Sequence, residues 1–280
     1  MTFPGMLRTP VALTDEAYHL LNEYLEEHFG LWFPGHRRQI LESRLQERMR
    51  ELFLTDFLDY HLLLQTGGAD ERSRLARAVT NNETYFFRET GQFDALIRHV
   101  VPGLRADRVG ADPVRVLSAG CSSGEEAFTL RFWFDEAGAA ARVDAFDLDA
   151  DRVAMAGRGR YRERSVRDMT PAQIERYLER TEGGEYQVRS RFRRDLQFTV
   201  GNIVDASTFR RPWPYDVVYC RNVLIYFSDT SLRRAIRAFL EVLRPGGYLF
   251  LGHAESIIGM FPELETVRLG SCLAYRRVAR

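Results

Sequence analysis

The chain has 280 residues, 45% of them hydrophobic and 28% charged, which suits a globular protein with one large domain and a smaller companion. Lysine plus arginine equals aspartate plus glutamate at 39 each, so net charge gives no support to a nucleic-acid coat, and only local patches remain to be weighed. Cys121, Cys220 and Cys272 are scattered without metal-ligand spacing and fit a reducing compartment. The N-terminus lacks an apolar signal core, and no apolar run approaches the roughly 20 residues that span a bilayer. The expectation is a soluble cytoplasmic protein with no metal and no membrane insertion.

The first hundred residues read as helices. Thr14 is an N-cap with Asp15 and Glu16 in the first turn, Tyr18, Leu21, Leu25 and Phe29 recur at helical spacing, and Gly30 suits a C-terminal cap. A second helix is predicted from about His36 to Phe53, with Leu41, Leu45, Met49 and Leu52 as its buried stripe. Thr55-Asp56 opens a third, carrying Phe57, Tyr60 and Leu64. Gly67-Gly68 separates it from a fourth with Leu75 and Val79. No strand signal appears here, so residues 1–101 are read as a helical domain with a linking helix.

From Val114 strands and helices alternate. Val114–Ser118, Val143–Asp147, Leu196–Val200, Asp216–Cys220 and Tyr248–Gly252 are short strand candidates. Helices are predicted at about Glu125–Ala137, Asp149–Gly157 and Thr230–Leu243. The pattern implies an α/β domain over 102–280, with a mainly parallel sheet and Pro102–Pro113 as the linker. Arg158–Arg194 interrupts the alternation. Thr170-Pro171 starts a helix predicted to run to Arg180, Gly183-Gly184 turns the chain, and Tyr186–Ser190 is a short strand. This is either an inserted subdomain or a decorated crossover.

The informative stretch is Ser118-Ala119-Gly120-Cys121-Ser122-Ser123-Gly124-Glu125-Glu126, a strand running through a glycine turn into a helix. Asp147 ends the next strand 23 residues beyond Gly124, a spacing that suits an acid accepting ribose hydroxyls. A dinucleotide would need its pyrophosphate at the helix N-terminus. Glu125 and Glu126 occupy that turn and would repel it, but they tolerate a cationic amino-acid tail and a sulfonium. S-adenosylmethionine meets that description. The simpler alternative is that both acids only complement the helix dipole. Asn202, Arg221 and Asn222 follow later strands, at the edge where open parallel sheets bind ligands.

Several strings together resemble the chemotaxis receptor methyltransferase (CheR) family: Asn82-Glu83-Thr84-Tyr85-Phe86-Phe87-Arg88, the Ser118–Glu126 loop, Cys220-Arg221-Asn222-Val223-Leu224-Ile225-Tyr226-Phe227, and Leu243–Ser256 with its Arg244-Pro245-Gly246-Gly247 turn. The resemblance covers almost the whole chain in order. Ala127-Phe128, where the family commonly has Pro-Tyr, and Ala254, where it often has Ser, depart from it mildly. It implies a Rossmann-like S-adenosylmethionine-dependent methyltransferase domain with an inserted small antiparallel β-subdomain at about 158–194, preceded by a small all-α domain. It also implies cofactor contacts from Asn82, Thr84, Arg88, Glu125, Asp147, Asn202, Ile203, Arg221 and Asn222, with Arg88 and Tyr226 nearest the transferred methyl group. The implied reaction gives glutamyl methyl esters on chemotaxis receptors and S-adenosylhomocysteine, carried out by a monomer. An interdomain salt bridge for Arg88 and a core position for Tyr226 are the alternatives.

The second helix carries Arg37, Arg38, Arg44, Arg48 and Arg50 against Glu42 and Glu47. At about 100° per residue, Arg37, Arg44 and Arg48 share a stripe. The resemblance implies that this helix approaches the acidic helical region of the receptor, with Arg44 and Arg50 matching arginines implicated in the family, and Arg48, on the same stripe, joins them as an expected receptor-binding residue; a solvated basic face is the alternative. The resemblance implies a longer loop in members that tether themselves to a receptor's C-terminus, and the connection Arg180–Tyr186 is a few residues shorter than that, so recognition is expected to rest on that helix rather than on a tether. Two other functions stay open: a methyltransferase for another acceptor, and a non-catalytic S-adenosylmethionine-binding regulator.

Overall fold

The computed structural model describes residues 12–106 and 112–279. It divides into two compact units, one running to Asn81 and including Tyr226–Ser231, the other comprising Asn82–Ile225 and the chain from Leu232 onward.

The first unit contains α1 (Asp15–Phe29), α2 (Arg38–Glu51), α3 (Phe57–Thr66) and α4 (Ala69–Val79). The Thr14 hydroxyl accepts the Ala17 N–H at 3.2 Å, and Gly30 takes φ 77°, so both predicted caps of α1 are present. Leu21, Leu25, Leu41, Leu45, Phe57, Tyr60, Leu64 and Leu75 are buried. Buried Asn22 exchanges two 2.9 Å hydrogen bonds with the backbone of Phe33, which fixes the approach to α2. That helix is shorter than its periodicity predicts: Gly35–Arg37 is a 3-10 turn and Leu52 lies beyond the end. The returning segment joins this unit through a Leu31–Phe227 bridge and a 2.8 Å bond from the Trp32 N–H to the Tyr226 carbonyl.

In the second unit, α5 (Gly91–Ala95) continues through a π turn at Leu96–Val100 into α6 (Val101–Ala106). Phe86, Phe87, Phe93 and Leu96 are buried in its core, and this carries residues 82–101 into the sheet unit, away from the helical half to which the sequence assigns them. The region read as a linker from Pro102 is therefore helical as far as Ala106.

Then follow β1 (Val114–Ala119), α7 (Glu125–Glu136), β2 (Ala141–Asp147) and α8 (Ala150–Arg158). The inserted segment contributes β3 (Arg160–Tyr161), α9 (Pro171–Tyr177), β4 (Leu178–Arg180), β5 (Tyr186–Val188) and α10 (Ser190–Arg193). The main domain resumes with β6 (Leu196–Val200), β7 (Tyr215–Cys220), α11 (Asp229–Val242), β8 (Leu243–Leu251), β9 (Leu264–Leu269) and β10 (Cys272–Arg277).

The seven-stranded sheet has the order β6-β2-β1-β7-β8-β10-β9. It is parallel from β6 to β8 and closed by an antiparallel hairpin. Because β1 lies between β2 and β7, crossovers diverge at its carboxyl end, the place where such sheets open a ligand crevice. Phe93, Tyr219 and Phe250 stack in series, with centroids 5.5 and 4.7 Å apart, behind that edge.

The inserted segment is a three-stranded antiparallel sheet, β3-β5-β4. The predicted helix to Arg180 stops at Tyr177, because Leu178–Arg180 pairs with β5 instead. Its core joins Tyr161, Val166, Tyr177, Tyr186 and Phe192 to Phe128 and Phe132 of α7. The β4–β5 turn is tight: the Thr181 N–H reaches the Glu185 carbonyl at 2.8 Å and Gly184 has φ 77°.

Candidate cofactor site

The glycine turn after β1 is suspended from β2. The N–H groups of Gly120 and Cys121 donate to the Phe146 carbonyl at 2.9 and 3.0 Å. The Ser122 N–H donates to Asp147 Oδ2 at 2.7 Å, and the Asp149 N–H to Asp147 Oδ1 at 2.9 Å. Gly120 and Gly124 have φ 76° and 94°, and a Cβ on Gly124 would stand 2.8 Å from that of Ala156. Glycine is needed there for both torsion and space. Asp147 therefore builds the loop. Each of its oxygens keeps a lone pair for a further donor.

Burial pushes the Asp147 carboxyl up, opposed by the N–H groups of Asp149 and Ser122. Asp149 caps α8 through the Asp151 N–H at 2.9 Å and accepts from Asn82 Nδ2 at 3.1 Å. This second acid, in N-cap position two residues after the strand, was visible in the sequence as a helix start.

At the first turn of α7, Glu125 is 2% exposed. Its carboxylate accepts from the hydroxyls of Ser123 at 2.8 Å and Ser165 at 2.9 Å. Burial raises its carboxyl above the ordinary range, against those bonds. Ser165 comes from the inserted segment, a partner that sequence proximity could not reveal. Glu126, also raised by burial, accepts from Ser118 Oγ at 2.8 Å and faces Arg221 at 3.5 Å.

Arg221 has a buried side chain, 2% exposed, and its guanidinium is committed internally. It donates to Glu89 Oε2 at 2.8 Å and the Arg88 carbonyl at 3.1 Å, over the Phe93 ring at 5.1 Å. Burial pushes the Glu89 carboxyl up, but the Arg221 bond and charge outweigh it and hold the group below its usual range. Arg88 donates to the Glu83 carbonyl at 2.9 Å, with its side chain 27% exposed. Phe87, Glu89, Ser122 and Asn222 all have φ between 48° and 60°. Such strained non-glycine backbone concentrates at functional sites.

Thr84 is half-buried, and Ile203 is buried below the Gly201 turn. The Asn202 side chain accepts the Val204 N–H at 3.2 Å, and the backbone N–H of Asn202 donates to Thr208 Oγ1 at 2.9 Å.

Tyr226, Arg44, Arg48 and Arg50 fall in the helical unit. Half-buried Tyr226 accepts a 2.8 Å bond from Asn81 Nδ2, with the Arg37 guanidinium 5.5 Å from its ring centroid. Arg50 is exposed, and Arg44 reaches the Val79 carbonyl. Arg48 departs from the predicted surface stripe. It is 11% exposed and clamped by Glu71, with Nε to Oε1 at 2.9 Å, and by Glu51 at 2.6 Å.

The family model "CheR methyltransferase, SAM binding domain" covers residues 82–269, and "CheR methyltransferase, all-alpha domain" covers 16–80. The chain belongs to the CheR methyltransferase family. Chemotaxis protein methyltransferase 2 of Vibrio cholerae is 33% identical over 88% of both chains. The Escherichia coli chemotaxis protein methyltransferase is also 33% identical, over 88% of this chain and 86% of that one. Chemotaxis protein methyltransferase 1 of Pseudomonas aeruginosa is 29% identical over 92% and 97%. As a CheR protein, the chain is an S-adenosylmethionine-dependent methyltransferase, and its sheet unit is the cofactor-binding domain.

Proposed function

We propose that this CheR protein methylates glutamate side chains of chemotaxis receptors, giving glutamyl methyl esters and S-adenosylhomocysteine. The observation carrying the cofactor assignment is the pair of enclosed carboxylates, Glu125 and Asp147, on either side of a glycine turn. An anionic wall suits the ammonium and sulfonium of S-adenosylmethionine, and the free lone pairs of Asp147 suit ribose hydroxyls. Asn82, Thr84, Asn202, Ile203 and Asn222 complete the proposed cofactor contacts. For Arg221 the contact is through its backbone, since its guanidinium is engaged elsewhere.

The acceptor is an already ionised carboxylate, with an ordinary pKa of about 4.3. No general base is required, and catalysis reduces to alignment in a dry site. Arg88 is assigned to orienting a carboxylate and the Tyr226 hydroxyl to the reacting centre. Tyr226→Phe should therefore lower turnover while leaving cofactor affinity near wild type. Unchanged turnover would remove Tyr226 from the active site.

Acidification gives a second check. Because burial raises both Glu125 and Asp147, cofactor affinity should begin to fall at a higher pH than free carboxylates would predict. Calorimetric titration from about pH 8 to about pH 5 reads this directly. Stability responds in the opposite sense. A carboxyl with a raised folded pKa is easier to protonate folded than unfolded, so these two groups cost stability as pH rises and return it on acidification.

The decisive experiment is incubation with methyl-labelled S-adenosylmethionine and receptor-bearing membranes, followed by mapping of the label. Base-labile label on receptor glutamates is expected. Base-stable label, as on nitrogen, would overturn the acceptor assignment.

A further inference from the structure

Four backbone N–H groups converge on one buried carboxylate that has no part in the proposed chemistry. Glu255, 8% exposed, accepts from Asn222 at 3.0 Å and Gly252 at 2.6 Å on Oε2, and from Val223 at 2.8 Å and Ile225 at 3.3 Å on Oε1. A carboxylate has about four lone-pair sites, and here the chain itself fills them. Such charge-assisted bonds are stronger than neutral ones.

The clamp sits where the carboxyl ends of β7 and β8 meet. A Cβ on Gly252 would lie 2.7 Å from Glu255 Oε2 and 2.9 Å from the Asn222 nitrogen, so a hydrogen is all that fits there. Asn222 is held at φ 60°, a conformation that asparagine tolerates but does not prefer. Val223, the next residue held, packs on the cofactor turn: a Cβ on Gly120 would stand 2.6 Å from its Cγ2. The carboxylate thus fixes the backbone of 222–225 and, through Val223, one wall of the glycine turn.

We propose that Glu255 is a positioning residue for the cofactor site, acting through Asn222 and Val223 without touching the cofactor. This rests on the assignment of that edge as the S-adenosylmethionine site. The clamp needs two equivalent acceptor oxygens. Glutamine keeps the shape but offers one oxygen and turns an NH2 toward N–H donors, so two of the four bonds become repulsive contacts.

Glu255→Gln should therefore bind S-adenosylhomocysteine about tenfold or more weakly, a loss of about 1.4 kcal/mol or more. Its KM for S-adenosylmethionine should rise together with a fall in kcat. A residue that only stabilises the fold would lower the melting temperature and leave affinity unchanged well below it. Affinity within about twofold of wild type in folded Glu255→Gln overturns the proposal. Should that variant fail to fold, Gly252→Ala disturbs the same clamp from its other side and is read by the same criterion. Wild-type protein that binds no S-adenosylhomocysteine would instead overturn the cofactor-site assignment itself.

Discussion

Asp147→Ala should weaken S-adenosylhomocysteine binding by about a hundredfold or more while the sheet unit stays folded. The loss has two sources. Ribose hydrogen bonds to a carboxylate are each worth on the order of 1.5–3 kcal/mol. The substitution also strands the Ser122 and Asp149 N–H groups, which Asp147, itself only 7% exposed, satisfies at 2.7 and 2.9 Å. Unsatisfied buried donors cost about 1–3 kcal/mol apiece, so the glycine turn should rearrange. Asp147→Asn separates the two: it keeps the volume and one acceptor, and should retain more of the loop than alanine does. Calorimetry with circular dichroism on both variants checks this. Unchanged affinity in folded Asp147→Ala would refute the assigned pocket.

The parts of this site that sequence reveals are those made by neighbours along the chain. The turn from Gly120 to Gly124 and Asp147 at a strand end carry local signals, and the structure brings them together by parallel pairing of β1 and β2. Partners far apart in sequence are not visible in that way. Ser165 meets Glu125 only because the inserted sheet packs on α7, and Glu255 meets Asn222 only because β7 and β8 are paired.

Arg48 shows the converse limit. Helical periodicity places it correctly on the turn beside the apolar stripe, but whether a charge there meets solvent depends on α4, which supplies Glu71. The closing hairpin was weakly marked as well. The strand β9 is largely exposed and polar along Glu265, Thr266 and Arg268, so its alternation lacks the apolar contrast that identifies β1 or β7.

Arg48→Glu should destabilise the helical unit rather than merely blunt receptor recognition. Arg48 and Glu71 are 11% and 10% exposed and share two hydrogen bonds, and the Tyr60 hydroxyl adds a 2.9 Å bond to Glu71. The Glu71 bond holds the Arg48 guanidinium above its ordinary pKa, and burial with the neighbouring Glu71 charge does the same for the Tyr60 phenol. Charge reversal removes the cation and sets a third carboxylate beside Glu71 and Glu51. Breaking a largely buried pair by changing one partner costs about 3–5 kcal/mol. For a unit of this size that lowers the melting temperature by about 10 °C or more. The swap Arg48→Glu with Glu71→Arg should recover part of the loss, because it restores opposite charges in the same place. Arg50→Glu is the contrasting variant: Arg50 is exposed, donating to the Gln46 carbonyl at 3.3 Å. Its reversal should leave melting within a few degrees of wild type and cofactor binding intact, while slowing receptor methylation in a salt-dependent way. Thermal melts and methylation rates on the same three proteins separate the two roles. An Arg48→Glu protein that melts like wild type would show that the Glu71 clamp does not hold the helical unit together.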